Sequence, residues 1–206
     1  MTGQRPSKIV CVGRNYLEHA RELGNEVPKE PLIFLKPPSS VIGDGDPIVL
    51  PDQSRQVEHE GEIGIVVGAR LRRAPPESAS RAVRGIVAAN DVTARDLQRS
   101  DSQWTRAKGF DTFCPLGEES KPPRDLRDLT VVTRVNGTER QRGSASAMAF
   151  DIPMLLSYIS HVMTLEPGDL VLTGTPSGVG KLEAGDEVEV EVVGLSRVRN
   201  PVTGTP

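Results

Sequence analysis

The chain has 206 residues and is poor in aromatic residues, histidine and cysteine. Aromatic side chains make up 3% of it and the net charge is −3, so it lacks the stacking surfaces and basic patches that bind nucleic acids. No apolar run approaches the length of about 18 residues that crosses a bilayer, and the N-terminal apolar run is too short for a secretory signal. We therefore expect a cytoplasmic protein without nucleic-acid or membrane partners.

The chain has few cysteine and histidine side chains that could bind a metal, which limits the kinds of metal site that we expect. Cys11 and Cys114 lie far apart in the sequence, and we expect two buried free thiols, with one disulfide as the alternative. The chain has three histidines, whereas a zinc site usually takes cysteine or several histidines. A metal site in this chain is therefore expected to use oxygen ligands.

Carboxylates are concentrated in one strand-like segment, VEHEGEIGIVVG at 57–68. Glu58, Glu60 and Glu62 alternate along it, so their side chains project from one face of a strand. Asp91 follows a second apolar run, RGIVAAN, and leads into a polar segment. Carboxylates at strand ends are hard oxygen ligands that suit Mg²⁺ or Mn²⁺. Spacing alone leaves open whether Asp91 meets the glutamates, and a solvated strand face is the alternative.

The remaining pattern predicts a strand-rich α+β fold. Segments 15–23, 75–84 and 150–165 have helical patterns, and VNGTER predicts a hairpin through its Asn-Gly turn. Because strands do not alternate with helices, we expect a mixed β-roll or β-sandwich rather than a doubly wound sheet. Short apolar runs bounded by Gly, Pro and Asp predict strands at 8–13, 31–37, 47–51, 62–68, 84–92, 129–137, 169–174 and 186–194.

Several motifs, taken together and in order, resemble one protein family. They are VGRNYLEHARELG, PLIFLKPPSS, EHEGEIGIVVG, ANDVTARDLQ, WTRAKGFDTFCPLG and LTGTPSGVG. The chain resembles the fumarylacetoacetate hydrolase family, and most of all its short, single-domain branch, from about residue 8 to about residue 201. The resemblance implies one catalytic domain at 1–206 with the mixed β-roll fold, a lid at about 14–30 and a core at about 31–201. It also implies a homodimer.

The same resemblance implies a divalent-metal site. Its ligands fall on Glu60, Glu62 and Asp91, and its cofactor is Mg²⁺ or Mn²⁺. Glu58 lies where the family varies and receives no role. Gly61 stands where a branched residue is expected, and we expect it to loosen the strand locally without removing a ligand.

Further site residues follow from the resemblance. Lys108 corresponds to a lysine that points into the pocket, where it would stabilise negative charge developing on oxygen. His19 and Glu22 correspond to a pair on a mobile lid, in which His19 is the general base and Glu22 orients it. His59 and His161 receive no role. The expected substrate-binding positions are Gln98, Thr173, Gly174 and Thr175.

The implied activity is metal-dependent cleavage of small 2-oxo or 2,4-dioxo acids through a metal-bound pyruvate enolate. The complete His19–Glu22 pair favours an acylpyruvate hydrolase, an oxaloacetate decarboxylase, or both. An alternative within the family is a 2-hydroxyhepta-2,4-diene-1,7-dioate or 5-carboxymethyl-2-hydroxymuconate isomerase or decarboxylase of aromatic catabolism. An alternative from another class is a non-catalytic, β-rich binding protein that has kept the fold.

Overall fold

The computed structural model describes residues 6–18 and 28–205, which contain fifteen strands and four complete α-helices. The strands are β1 (Ile9–Gly13), β2 (Leu32–Lys36), β3 (Val41–Ile42), β4 (Ile48–Leu50), β5 (Val57–His59), β6 (Gly61–Val67), β7 (Val83–Asn90), β8 (Thr93–Ala94), β9 (Cys114–Pro115), β10 (Thr130–Val135), β11 (Thr138–Ser144), β12 (Leu170–Leu172), β13 (Gly180–Lys181), β14 (Glu187–Val192) and β15 (Ser196–Gly204). The helices are α1 (Pro76–Arg81), α2 (Arg95–Ser100), α3 (Thr105–Lys108) and α4 (Ile152–Val162).

Two five-stranded sheets pack face to face and form the core. Their strand orders are β2-β1-β12-β6-β7 and β11-β10-β14-β15-β4, and both mix parallel with antiparallel neighbours. Ile63 and Ile65 of β6 share one buried cluster with Val190 and Val192 of β14. The alternating sequence EVEVEV in β14 places Val190 and Val192 in this interface, Val188 in a second buried cluster and the glutamates outside both. The predicted strand-rich, mixed α+β fold is confirmed.

The largest departure from the predicted strands occurs at the acidic segment. The single strand expected over 57–68 is interrupted at Glu60, so that β5 and β6 join different sheets. β5 pairs with β13 and β8, whereas β6 pairs with β12 and β7. Glu60 itself lies at the break, so the residues on its two sides pair with different strands.

Three local predictions are confirmed by the backbone and burial. The Asn-Gly turn joins β10 to β11, and both Asn136 and Gly137 have positive φ angles, as this hairpin turn requires. Helix α4 begins after Asp151, whose carboxylate accepts the Met154 N–H at 2.9 Å. Cys11 and Cys114 are buried and free. None of the described helices is long and apolar enough to cross a membrane.

Other predicted boundaries differ from the structure. Helix α1 ends at Arg81, three residues before the predicted end, because the chain enters β7 and pairs with β6. The longest strand, β15, was not predicted, since Asn200 and Pro201 are typical turn residues. It nevertheless pairs with β14 and β4, and its alternate residues are buried. Most of the predicted helix at 15–23 lies outside the described residues.

A buried aspartate fastens the start of β1 to the turn before β12. The Asp169 carboxylate accepts hydrogen bonds from the Glu166 N–H at 2.8 Å and the Ser7 hydroxyl at 2.6 Å, and it forms an ion pair with Lys8. Burial alone would raise the pKa of Asp169, but these hydrogen bonds and the lysine outweigh it and hold the pKa below its ordinary value. The charged carboxylate therefore stabilises the folded chain.

We expect Asp169→Asn to lower the free energy of unfolding at pH 7 by about 1.5–3 kcal/mol, the usual value for hydrogen bonds to a charged group. Because the folded-state pKa is depressed, this contribution is present above the ordinary Asp pKa of about 3.9 and is lost as the pH falls through the folded value. Denaturant titrations of both proteins from pH 7 downward measure the difference. A difference that does not shrink on acidification would contradict this account. Asp186→Asn, in the matching LEAGD turn, is the half-exposed control and should cost less.

Candidate functional site

Three buried carboxylates converge where β5, β6 and β7 meet. Glu60 lies at the break between β5 and β6, Glu62 lies on β6, and Asp91 directly follows β7. The antiparallel pairing of β6 with β7 places Gly61 opposite Asn90, and the Asp91 N–H donates to the Glu60 carbonyl at 2.8 Å. One carboxylate oxygen from each acid lies within 4.8 Å of the others. We call Glu60, Glu62 and Asp91 the carboxylate centre.

The carboxylate centre fits a hard divalent cation. All three donors are oxygens, and each residue is at most 5% exposed, so the charges are not dispersed by solvent. Burial raises the pKa of Glu62 well above its ordinary value, and the negative charges of Asp91 and Glu60 raise it further. Mg²⁺ and Mn²⁺ take such carboxylate oxygens and leave positions for water or ligand.

Two buried lysines balance part of this charge. The Lys108 ammonium donates to Glu60 Oε2 at 2.7 Å and to Asp91 Oδ2 at 2.6 Å. The Lys36 ammonium donates to Asp91 Oδ1 at 2.8 Å and to the Lys108 carbonyl at 2.6 Å. Burial lowers the pKa of Lys108, but Asp91 and Glu60 outweigh burial, so its pKa is raised and it remains a cation. Sequence reasoning selected Lys108 and missed Lys36, which stands in the plain strand LIFLK.

Arg95 connects the carboxylate centre to two further side chains. Its guanidinium donates to Glu60 Oε1 at 2.6 Å, to Glu58 Oε2 at 2.8 Å and to Gln98 Oε1 at 2.5 Å. Because a guanidinium only donates, Gln98 presents its carbonyl oxygen to Arg95 and keeps its NH₂ group for other partners. Glu58, which the sequence analysis left out, thus holds Arg95 in place.

The turn after β12, TGTP at 173–176, closes the site on its other side. The Thr173 hydroxyl donates to the Ile63 carbonyl and the Thr175 hydroxyl to the Gly61 carbonyl, each at 2.9 Å. The Gly174 N–H donates to Glu62 Oε2 at 2.7 Å. Gly174 has a φ of +99°, and a Cβ there would lie 2.8 Å from Asn15 Cβ. The turn thus orients Glu62 and fastens the strand that carries it.

A pocket opens above the carboxylate centre. Its walls include Lys108, Gln98 and Thr175, together with an aromatic pair that the sequence analysis did not select. Phe34 and Trp104 pack edge to face with ring centroids 5.2 Å apart, and the Lys108 ammonium lies 5.0 Å from the centre of the Phe34 ring. The pocket therefore combines a floor of paired carboxylates and cations with one apolar wall, which suits a small polar ligand.

The family model for the C-terminal part of fumarylacetoacetate (FAA) hydrolase matches residues 8–203. The chain belongs to the fumarylacetoacetate hydrolase family. It is 46% identical to an oxaloacetate decarboxylase of Dictyostelium discoideum over 91% of this chain and 89% of that protein. The named relatives of this fumarylacetoacetate hydrolase family chain are enzymes, which supports an enzymatic function here.

Two solved structures of the family are similar in fold and differ in the reaction named. The 5-carboxymethyl-2-hydroxymuconate delta-isomerase of Mycobacterium smegmatis is 46% identical, with a TM-score of 0.90 over 98% of this chain and 80% of that chain. The fumarylpyruvate hydrolase of Pseudomonas aeruginosa is 30% identical, with a TM-score of 0.91 over 100% of this chain and 94% of that chain, and was solved in complex with Mn²⁺ and pyruvate. Family membership therefore does not select the reaction.

The histidines of this family member differ in position. His19 and Glu22, the predicted lid pair, lie outside the described residues. His59 is buried on the face of β5 away from the carboxylate centre, and its Nδ1 lies 3.0 Å from Gln141 Oε1. His161 is exposed near the end of α4. The sequence analysis gave His59 no role. Its burial and its contact with Gln141 indicate a structural role.

Gly61 does not loosen the strand as expected. It pairs in register with Asn90, and a Cβ at this position would lie 1.8 Å from Thr133 Oγ1. The absence of a side chain lets β10 of the opposite sheet approach the backbone between Glu60 and Glu62. Thr133 Oγ1 is buried and has no hydrogen-bond partner. The glycine is therefore a close-packing contact between the sheets.

We expect Gly61→Ala to lower the free energy of unfolding by about 1–3 kcal/mol, because the added methyl group overlaps the Thr133 hydroxyl. Thr133→Ala removes that hydroxyl and should restore at least half of the loss in the double variant. Denaturant unfolding of the wild type, both single variants and the double variant measures the coupling. If the two single effects simply add, the two positions do not touch and the close-packing account is wrong.

Proposed function

We propose that this protein binds Mg²⁺ or Mn²⁺ at Glu60, Glu62 and Asp91 and cleaves small 2-oxo acids. The reaction is acylpyruvate hydrolysis, oxaloacetate decarboxylation, or both. The observation that carries the proposal is the Lys108 ammonium, which is held 2.7 Å from Glu60 and 2.6 Å from Asp91 at the floor of the pocket. A positive charge fixed beside three converging carboxylates serves a reaction that places negative charge on an oxygen next to them.

The two reactions break the same bond. In acylpyruvate hydrolysis, water adds to the C4 carbonyl, the C3–C4 bond breaks, and the acyl group leaves as a carboxylic acid. In oxaloacetate decarboxylation, the same bond breaks with loss of CO₂ and without an attacking water. In both cases the bonding electrons move to the C2 oxygen, and a proton then returns to C3 to give pyruvate. A bound divalent cation would supply Lewis-acid polarisation of the C2 carbonyl.

The protein groups divide these tasks. Lys108 stabilises the charge that develops on the C2 oxygen, since its raised pKa keeps it protonated. The NH₂ group of Gln98, turned away from Arg95, donates to the ligand carboxylate. His19, oriented by Glu22, accepts the proton of the attacking water, a step that only hydrolysis needs. Thr175, which lines the pocket, limits the space for the group on C4.

The second candidate is a 2-hydroxymuconate-type isomerase or decarboxylase. It is favoured by the likeness to the M. smegmatis delta-isomerase, whose fold matches at a TM-score of 0.90. The same enolate, if it forms by loss of a C3 proton and is reprotonated at another carbon, leads to isomerisation with no carbon–carbon bond broken. The two candidates therefore share the carboxylate centre and Lys108, and only the acylpyruvate hydrolysis of the first candidate needs His19.

A paired assay distinguishes these reactions. Loss of acetylpyruvate and of oxaloacetate is followed with Mg²⁺, with Mn²⁺ and with a chelator, on the wild type and on His19→Ala. We expect chelator-sensitive turnover in which only acetylpyruvate cleavage collapses in the variant. If neither substrate turns over while metal raises the melting temperature, longer muconate-type substrates are tested next. Absence of both turnover and metal-dependent stabilisation would instead support the alternative of a non-catalytic binding protein.

We expect Lys108→Met to reduce kcat by about 10²–10³-fold, the usual cost of losing one charge-stabilising donor. Lys8→Met is the matched control, because it removes a lysine–aspartate ion pair that lies outside the pocket. It should leave kcat within a factor of about two, since its lysine touches no group of the site. Steady-state kinetics with saturating Mn²⁺ measures both variants. Equal losses would indicate a general effect on folding and would remove Lys108 from the mechanism.

A further inference from the structure

The backbone N–H and C=O groups of Gly61, which belong to two successive peptide units, lack a strand neighbour on one side. β12, which pairs with β6, reaches only as far as the register pair of Leu172 with Gly64. Beyond that pair the chain turns away at 173–176, so the outer N–H and C=O groups of Gly61 face no strand. Such groups must find other partners when buried. Gly61 is buried and links Glu60 to Glu62. The side chains that form hydrogen bonds with its backbone therefore also fix the spacing of these two ligands.

Gln141 and Thr175 bond to the N–H and C=O groups of Gly61 in a closed ring of three hydrogen bonds. The Gly61 N–H donates to Gln141 Oε1 at 2.9 Å. Gln141 Nε2 donates to the Thr175 hydroxyl at 2.7 Å, and that hydroxyl donates to the Gly61 carbonyl at 2.9 Å. Gln141 comes from β11 of the opposite sheet and is 1% exposed. A side-chain amide thus replaces the missing strand.

The orientation of the Gln141 amide is fixed by backbone groups on both sides. Its Nε2 also donates to the Pro176 carbonyl at 2.8 Å, and its Oε1 accepts the Gly61 N–H, so a flipped amide would place like groups against each other. His59 Nδ1 therefore donates to the same Oε1. Four hydrogen bonds then saturate the amide and leave it no freedom to turn.

We propose that Gln141 is a positioning residue of the carboxylate centre, which sets the separation of Glu60 and Glu62 by holding the Gly61 peptide. The inference rests on the proposed divalent-metal site. The backbone of a glycine that loses its hydrogen-bond partners can rotate about φ and ψ, because no Cβ restricts it. The two ligand carboxylates would then lose their common geometry. Residues that orient metal ligands in this indirect way typically contribute 10–100-fold, as an order of magnitude, to metal affinity.

The test compares two buried amides. Gln141→Leu removes the ring, whereas Asn200→Leu removes an amide of 1% exposure whose NH₂ group donates to the Gly43 and Asp46 carbonyls, each at 2.8 Å, outside the pocket. Both variants should lower the melting temperature. Isothermal titration with Mn²⁺ should show affinity reduced by about 10–100-fold in the first and unchanged within about twofold in the second. Equal affinities in the two variants would overturn the positioning role.

A second pair of variants covers the case in which Gln141→Leu does not fold. Thr175→Val opens the same ring at its hydroxyl and should also weaken Mn²⁺ binding, while Thr175→Ser keeps the hydroxyl and should restore it. Unchanged affinity in Thr175→Val would count against the ring. A wild type that binds no Mn²⁺ would overturn the proposed function together with this inference. A wild type that binds Mn²⁺ as tightly as its ring variants would overturn this inference alone.

Discussion

Mutual repulsion between buried carboxylates is the constraint on which the surrounding structure depends. Glu60, Glu62 and Asp91 lie within reach of one cation and are shielded from water. Lys108, Lys36 and Arg95, each buried, form ion pairs with Glu60 or Asp91, and Glu62 accepts the Gly174 N–H. Removing one partner from a buried ion pair typically costs about 3–5 kcal/mol. Arg95 of α2 and Lys108 of α3 therefore link these helices to the carboxylate centre through buried ion pairs.

The two sheets serve this constraint in different ways. The first sheet supplies the ligands, because the pairing of β6 with β7 brings Glu60 beside Asp91. The second sheet supplies the support, because Thr133 and Gln141 reach from it to the backbone at Gly61. The interruption of the acidic strand at Glu60 is what exposes this backbone to both. A continuous strand would have hidden the Gly61 peptide within one ladder.

Much of the fold followed from local sequence, whereas the supports of the site did not. The eight predicted apolar runs form strands within two residues of their expected ends, because apolar runs and turn residues act locally, whereas the longer acidic strand expected over 57–68 is interrupted at Glu60. The convergence of Glu62 and Asp91, which spacing left open, depends on strand pairing. Lys36 and Gln141 carried no signal, since the atoms they hold lie 55 and 80 residues away in sequence. A lysine or glutamine in a strand is ordinarily a surface residue.

The charge of the side chains around the carboxylate centre affects how the pocket attracts organic anions. The buried ionic side chains there are four carboxylates (Glu58, Glu60, Glu62 and Asp91) and three cations (Lys36, Arg95 and Lys108). Arg14 adds a fourth cation to the pocket lining, and burial raises the pKa of Glu62, so these groups hold no excess of negative charge. A divalent ion at the carboxylate centre would add two positive charges and strengthen the attraction for organic anions. The affinity for an acid would therefore depend on whether the ion is already bound.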